Sequence, residues 1–339
     1  MKKKGVLLIN LGTPNSPSVK DVGVYLFEFL NDPRVIDLPW LFRKILVNII
    51  IVPFRMFSSA KEYKKLWSPE GSPLDFHSKK LLKEVQNNLP ESYSIHLAMR
   101  YQKPSIKKVL AEMKEAEYEE IIVLPLYPQY AASSGGTAIQ EVMKYISKWW
   151  AIPKLTFISE FHQDEGYIDS IITRANEFEL EAYDHIVFSF HGLPIRHVDK
   201  VHSNGGDCKS HDCRNQINSS NKLCYTASCY STARLLVEKL NLSDDQYSIS
   251  FQSRLNDKWL KPYTDKTVTE LAKSGKKNIL VFSPAFVADC LETTIEIGEE
   301  FQDLFIENGG TKLDLVPSLN SEERWVKAVS DLIKKQVID

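Results

Sequence analysis

Ile95-His96-Leu97-Ala98-Met99-Arg100, trailed by Lys103-Pro104, recurs in kind as Ile249-Ser250-Phe251-Gln252-Ser253-Arg254, trailed by Lys261-Pro262. Both are segments of strand length that end in an arginine. Each leads through a helical pattern, Lys107–Ala116 in the first case and Thr267–Ser274 in the second, to another short apolar strand, Ile121–Pro125 or Ile279–Phe282. Working outward, the opening strand Gly5–Leu11 with Gly12-Thr13-Pro14 behind it is matched by Val187–Phe190 with His191-Gly192-Leu193-Pro194 behind it. Ser231–Leu240 suits a further helix. Short buried strands alternating with helices predict an α/β fold of parallel sheets flanked by helices. The self-similarity predicts two like halves, residues 1–165 and 166–339, with ligands beyond the carboxyl ends of their strands.

Composition narrows the function. With 42 basic and 44 acidic side chains and a net charge of -2, the 339 residues show no basic surplus, so a nucleic-acid partner is not expected. At 43% hydrophobic, with 14 Gly and 16 Pro, the chain is neither collagenous nor disordered. Lys2–Lys4 before the apolar start resemble a signal peptide, but Gly12-Thr13-Pro14 stops the run and no small-residue cleavage site follows. A cytoplasmic protein is expected. The apolar stretch Ile45–Phe54, flanked by Arg43, Lys44 and Arg55, is too short to span a bilayer. It reads either as a buried helix or as an amphipathic lip at a pocket or membrane surface.

Strand ends supply the candidate chemistry. His191 directly follows Ile186-Val187-Phe188-Ser189-Phe190, where an imidazole can accept protons near neutral pH or ligate a divalent metal. Beyond Ile279–Phe282, a helix from about Ala288 would stack Glu292, Glu296 and Glu300 on one face. That row is either a solvated acidic face or a path for a hard cation. Tyr127-Pro128-Gln129-Tyr130 beside Ser133-Ser134-Gly135-Gly136 suits a flat apolar ligand with polar edges, or ordinary core packing.

With these residues in place the chain resembles the ferrochelatase family, which inserts Fe(II) into a porphyrin. The resemblance rests on Leu8–Pro14, Gly71-Ser72-Pro73, Met99-Arg100-Tyr101, Leu126–Tyr130, Ser189–Pro194, Phe251–Arg254 and Asp289–Thr293, in family order over nearly the whole chain. It implies a chelatase-like fold of two Rossmann-like halves around a porphyrin cleft. It implies His191 and Glu292 as the catalytic pair, with Glu296 and Glu300 continuing a metal path. Arg55, Tyr63, Ser72, Arg100, Tyr130 and Trp259 fall where the family contacts porphyrin, and Trp40–Phe57 falls on its lip. Protoporphyrin IX and Fe(II) are the implied substrates, with peripheral membrane contact at the lip. Rivals are a coproporphyrin III ferrochelatase, a non-catalytic porphyrin or haem carrier, which needs no His191–Glu292 pair, and a cobalt chelatase acting on a carboxylate-rich ring.

Four of the five cysteines, Cys208, Cys213, Cys224 and Cys229, fall in a polar insert, 202–229, spaced C-x4-C-x10-C-x4-C. So polar a loop gains little from burial, and a cross-link would compensate. Four thiolates fit an iron-sulfur cluster of the [2Fe-2S] type or a structural zinc, and the x4 spacing favours the cluster. Some bacterial ferrochelatases carry such clusters on internal cysteines, which this insert resembles. Unligated thiols or disulfides are the remaining alternative. Cys290, beside the acidic row, reads as a packed thiol.

Overall fold

Strand β1 (Lys4–Asn10) is buried from Gly5 onward and shows no alternation, because its sheet is covered on both faces. In the computed structural model, which describes residues 3–336, β1 pairs in parallel with β2 (Tyr93–Met99) and β3 (Glu120–Pro125). β4 (Lys154–Phe157) pairs with β3, completing the order β2-β1-β3-β4. A second four-stranded parallel sheet repeats this order as β6-β5-β7-β8. Its strands are β5 (His185–His191), β6 (Tyr247–Gln252), β7 (Asn278–Phe282) and β8 (Lys312–Leu315). The repeat extends to loop detail. Met99 N–H donates to the Pro104 carbonyl at 2.7 Å and Phe251 N–H to the Pro262 carbonyl at 2.8 Å, each behind a cis X–Pro bond.

The described residues divide into two compact units, one of 3–127, Ala132–Glu160 and 326–336, the other of Pro128–Ala131 and Phe161–Trp325. This differs from a single cut at 165. The terminal helix Glu323–Lys334 carries Ser330, whose hydroxyl accepts from Asn88 Nδ2 of the first unit at 3.3 Å.

In the first unit, the predicted helix 107–116 is found at Ile106–Glu115, capped by Ser105, whose hydroxyl accepts the Lys108 N–H. Its spacing of Ile106, Val109, Leu110 and Met113 puts one apolar stripe against Leu7, Ile9, Ile121 and Val123 of the sheet. Thr264–Lys273 plays the same part in the second unit, burying Val268 and Ala272 against Val187, Ile279 and Val281. The predicted helix 231–240 begins earlier, at Tyr225, and runs to Lys239.

Trp40–Leu66 is helical throughout, with a π-helical stretch at Leu46–Ile51 between α-helical ends. Pro53 brings no N–H to the ladder, and the Val52 N–H reaches back to Val47 O. Trp40, Phe42, Ile49 and Phe54 are exposed, Phe54 by 76%. The buried-helix reading of this stretch is therefore corrected: it presents an apolar outer face. Arg43 is not a free flanking charge, because it is buried and donates to the Leu38 carbonyl at 2.8 Å. Among the described residues, no helix is long and apolar enough to cross a membrane.

Past β1 the chain turns at Gly12, with φ +103°, and a Cβ there would lie 1.9 Å from the Tyr101 carbonyl oxygen. The Tyr101 N–H bonds to Leu11 O at 2.9 Å, so this backbone cannot withdraw cheaply. Gly12→Ala is expected to destabilise the chain by roughly 2–4 kcal/mol through left-handed strain plus overlap. A denaturant melt shifted by under about 0.5 kcal/mol would contradict the close approach.

Candidate active site

β5 delivers His191 at its carboxyl end, paired in register with Gln252 of β6. The turn that follows needs Gly192, where a Cβ would meet the Gln252 carbonyl oxygen at 2.7 Å; the Gly192 N–H bonds to that oxygen at 2.8 Å. His191 Nδ1 lies 2.6 Å from the Gly192 carbonyl, which only accepts, so the proton of the neutral ring sits on Nδ1. The Nε2 lone pair is left for chemistry. Trp259 and Phe286 flank the ring at centroid distances of 6.5 and 6.1 Å. Burial pulls the His191 pKa below its ordinary value, against the opposing pull of the Glu292 carboxylate, so the ring is neutral at pH 7. Tyr225 OH donates to the His191 carbonyl at 2.9 Å and ties the strand end to the helix Tyr225–Lys239.

The acidic row lies on Leu291–Phe301, which is π-helical and starts at Leu291 rather than Ala288. At roughly 4.4 residues per turn, a step of four falls about 33° short of a full turn, so Glu292, Glu296 and Glu300 still share a side. Their surroundings separate them. Glu292 and Glu296 are half-buried, whereas Glu300 is exposed. Glu296 accepts from the Ser253 N–H at 2.8 Å, from the Ser253 hydroxyl, and from Gln252 Nε2 at 3.3 Å. Gln252 Nε2 also bonds the Glu292 carbonyl at 2.9 Å. Burial pushes the Glu296 pKa up to about 7, and the Glu292 charge adds to it, against the bonds from Ser253 and Gln252. Asp289, at the head of the same segment, is taken up structurally, accepting from Ser318 N–H at 3.2 Å and Asn320 Nδ2 at 2.7 Å. Cys290 is more than a packed thiol: it caps the helix reciprocally with Thr293.

His191, Trp259, Glu292 and Glu296 are thus assembled within the second unit, to which Tyr130, half-buried, also belongs. Gln252, Ser253, Phe286 and Tyr225 were not assigned roles from sequence. Only the first two lay in a motif that could have flagged them. In the first unit, Arg55 is exposed and Tyr63 is buried on one helix, Val52–Leu66, with Tyr63 edge-on to Tyr25. Ser72 is buried at the start of the helix Pro73–Asn88 and accepts from the Thr13 hydroxyl at 2.9 Å. Arg100 is engaged with Asp32 at 2.6 Å, and Asp32 also accepts from Tyr101 OH at 3.0 Å and Thr137 Oγ1 at 2.5 Å. Removing Asp32 would leave the largely buried guanidinium with only the looser Glu141 carboxylate, at 3.9 Å.

The insert departs from expectation. The donor atoms of His202, Cys208, Cys213 and Cys224 all lie within 4.8 Å of one another, and Cys229 is outside this group. Cys229 is fully buried on the helix Tyr225–Lys239, and burial pushes its thiol pKa up. All five cysteines are free thiols. The Cys224 thiol hydrogen-bonds Cys208, holding the Cys208 pKa down to about 6 and pushing its own up. A [2Fe-2S] cluster on the four cysteines does not fit this arrangement. Ligands on different irons stand on the order of 6 Å apart, while the Cys208, Cys213 and Cys224 sulfurs all lie within 4.8 Å of one another.

The Ferrochelatase family model matches residues 3–337. A ferrochelatase of Coxiella burnetii (strain Dugway 5J108-111) is 46% identical over 99% of this chain and 94% of its own length. A ferrochelatase of Legionella pneumophila (strain Paris) is 40% identical over 99% of this chain and 100% of its own. The chain belongs to the ferrochelatase family. It is accordingly a lyase. SirB from Bacillus subtilis, solved with Fe3+, shares the fold at a TM-score of 0.55 and 13% identity, covering 98% of this chain and 95% of that one.

The Glu296 environment fixes a sign for stability. Because its folded pKa is raised from 4.5 to about 7, its contribution is full below pH 4.5 and lost as pH rises through 7. Glu296→Gln should therefore be more stable than the parent chain at pH 8, by on the order of 3 kcal/mol, with the gap closing towards pH 4.5. Urea melts without added iron across that range check it, and parallel curves would refute the burial argument.

Proposed function

We propose that this ferrochelatase-family chain inserts Fe(II) into protoporphyrin IX to form protohaem, with His191 and Glu292 as the catalytic pair. The carrying observation is the tautomer: Nδ1 is committed to the Gly192 carbonyl, which leaves Nε2 of a neutral ring free within the electrostatic reach of the Glu292 carboxylate. Insertion exchanges one Fe(II) for the two N–H protons of the porphyrin. Nε2 takes a pyrrole proton as a general base, and Glu292 relays protons or carries the incoming cation. Glu296 and Glu300 extend the cation path from half-buried to exposed positions along the same helix. Trp259 offers an apolar wall against His191, and Tyr130 a further ring contact from the same unit. In the first unit, the exposed Arg55 suits a propionate, with Tyr63, Ser72 and Arg100 shaping and orienting the porphyrin side.

The exposed face of Trp40–Phe57 supports both the substrate choice and the setting. Trp40, Leu41, Phe42, Ile49, Phe54 and Phe57 offer apolar surface and little charge, which suits the less carboxylated ring and contact with a membrane surface. We read the protein as cytoplasmic, with peripheral attachment through this face. The iron-sulfur cluster is not carried forward, because its ligands do not fit.

His191→Ala should lower kcat for anaerobic Fe(II) insertion by about 10²-fold or more while leaving porphyrin affinity within a few-fold. Retention of turnover would remove His191 from the chemistry. Glu292→Gln keeps the shape and loses both charge and basicity, and a comparable fall in kcat is expected. In steady-state assays with both substrates, protoporphyrin IX should give the higher kcat/KM, and a preference for coproporphyrin III would reverse the reading of the apolar face.

A further inference from the structure

The insert holds a second cluster of metal-ligating side chains, distinct from His191 and the acidic row. Cys213 and Cys224 are fully buried and His202 is 6% exposed, in a loop otherwise rich in exposed polar residues. The distances are those of ligands around one ion. With zinc–sulfur bonds of about 2.3 Å and a zinc–nitrogen bond of about 2.0 Å, tetrahedral geometry puts sulfurs about 3.8 Å apart and sulfur from nitrogen about 3.5 Å apart. Cys208 and Cys224 sulfurs are 3.7 Å apart, and His202 Nε2 lies 3.3 Å from Cys213 and 4.0 Å from Cys208.

The atoms around the ligands are arranged in the same sense. His202 points Nε2 at the thiols, and its Nδ1 faces the Gly206 carbonyl at 3.3 Å, a bond that fixes the ligating nitrogen. Asn221 Nδ2, fully buried, donates to Cys213 Sγ at 3.5 Å and to the carbonyls of His211 and Gln216. Asn221 thus braces the loop while it supports a sulfur that would carry negative charge. Cys229 is fully buried on the helix Tyr225–Lys239, outside this group of donors.

We propose that His202, Cys208, Cys213 and Cys224 bind a single tetrahedral metal ion, zinc by the chemistry of the donors, with Cys229 not a ligand. The set closes all four positions with protein atoms, as a structural site requires, and leaves none for substrate. Three thiolates and one imidazole select zinc over oxygen-loving cations. The ion would close the loop between His202 and Cys224. Cys224 caps the helix whose first residue, Tyr225, holds the His191 carbonyl, so ordering the loop also steadies the end of β5.

The test is metal and labile-sulfide analysis of the full-length protein, with X-ray absorption at the metal edge. One zinc per chain, no labile sulfide and a shell of three sulfurs and one nitrogen are expected. Cys229→Ser should keep the zinc, whereas His202→Ala and Cys208→Ser should weaken retention against a competing chelator at least 10-fold. Two irons with two sulfides, a four-sulfur shell, or no bound metal would overturn the proposal. So would loss of metal in Cys229→Ser alone. The absorption measurement uses the unaltered chain, so the result stands even where a variant folds poorly. Insertion activity is not the readout, and failure here leaves the His191–Glu292 reading standing.

Discussion

The parallel pairing of β5 with β6 is the constraint on which the candidate active site depends. Its register sets His191 opposite Gln252, and the Gly192 N–H closes the ladder on the Gln252 carbonyl. Because residues in register share a level of the sheet, one pairing positions both the imidazole and the amide that holds Glu292 and Glu296. Slipping that pairing by one residue would turn His191 to the other face of the sheet and separate it from the acidic helix. The small residue at 192 and the apolar run Ile186–Phe190 protect the register, one by permitting close approach and the other by burial.

Around that constraint the two units repeat one plan with different chemistry. Both sheets run in the same order, and both place a turn after the central strand. In the first unit the β2 end leads to Arg100, neutralised by the buried Asp32. In the second, the equivalent β6 end leads to Ser253, which serves Glu296. The fold supplies positions at strand ends, and side-chain type decides whether a position carries an ion pair or a proton acceptor.

Electrostatics grades the acidic row. Three glutamates four residues apart look alike as a pattern, yet burial lifts Glu296 towards neutral pH, while Glu300 faces solvent. Pairing a neutral imidazole with carboxylates of differing exposure is the kind of separation that assigns acid and base roles.

Much of this was legible in the sequence. Buried strands need continuous apolar runs, so β1, β3, β5 and β7 were visible as such, and the apolar spacing at 106–113 marked a helix because stripe and period are properties of local sequence. His191 was visible because a strand end and a glycine turn bracket it. Tertiary structure decided what local sequence does not encode. Trp40–Phe57 is apolar in either reading, and only packing shows that its outer face is left uncovered. The π-helical winding of Leu291–Phe301 and the Gln252–Ser253 hold on Glu296 depend on contacts between segments far apart in the chain. In the insert, four cysteines formed the conspicuous pattern. A thiol's role is set by where its sulfur points, however, and folding buried Cys229 apart from the others and brought His202 to Cys208, Cys213 and Cys224.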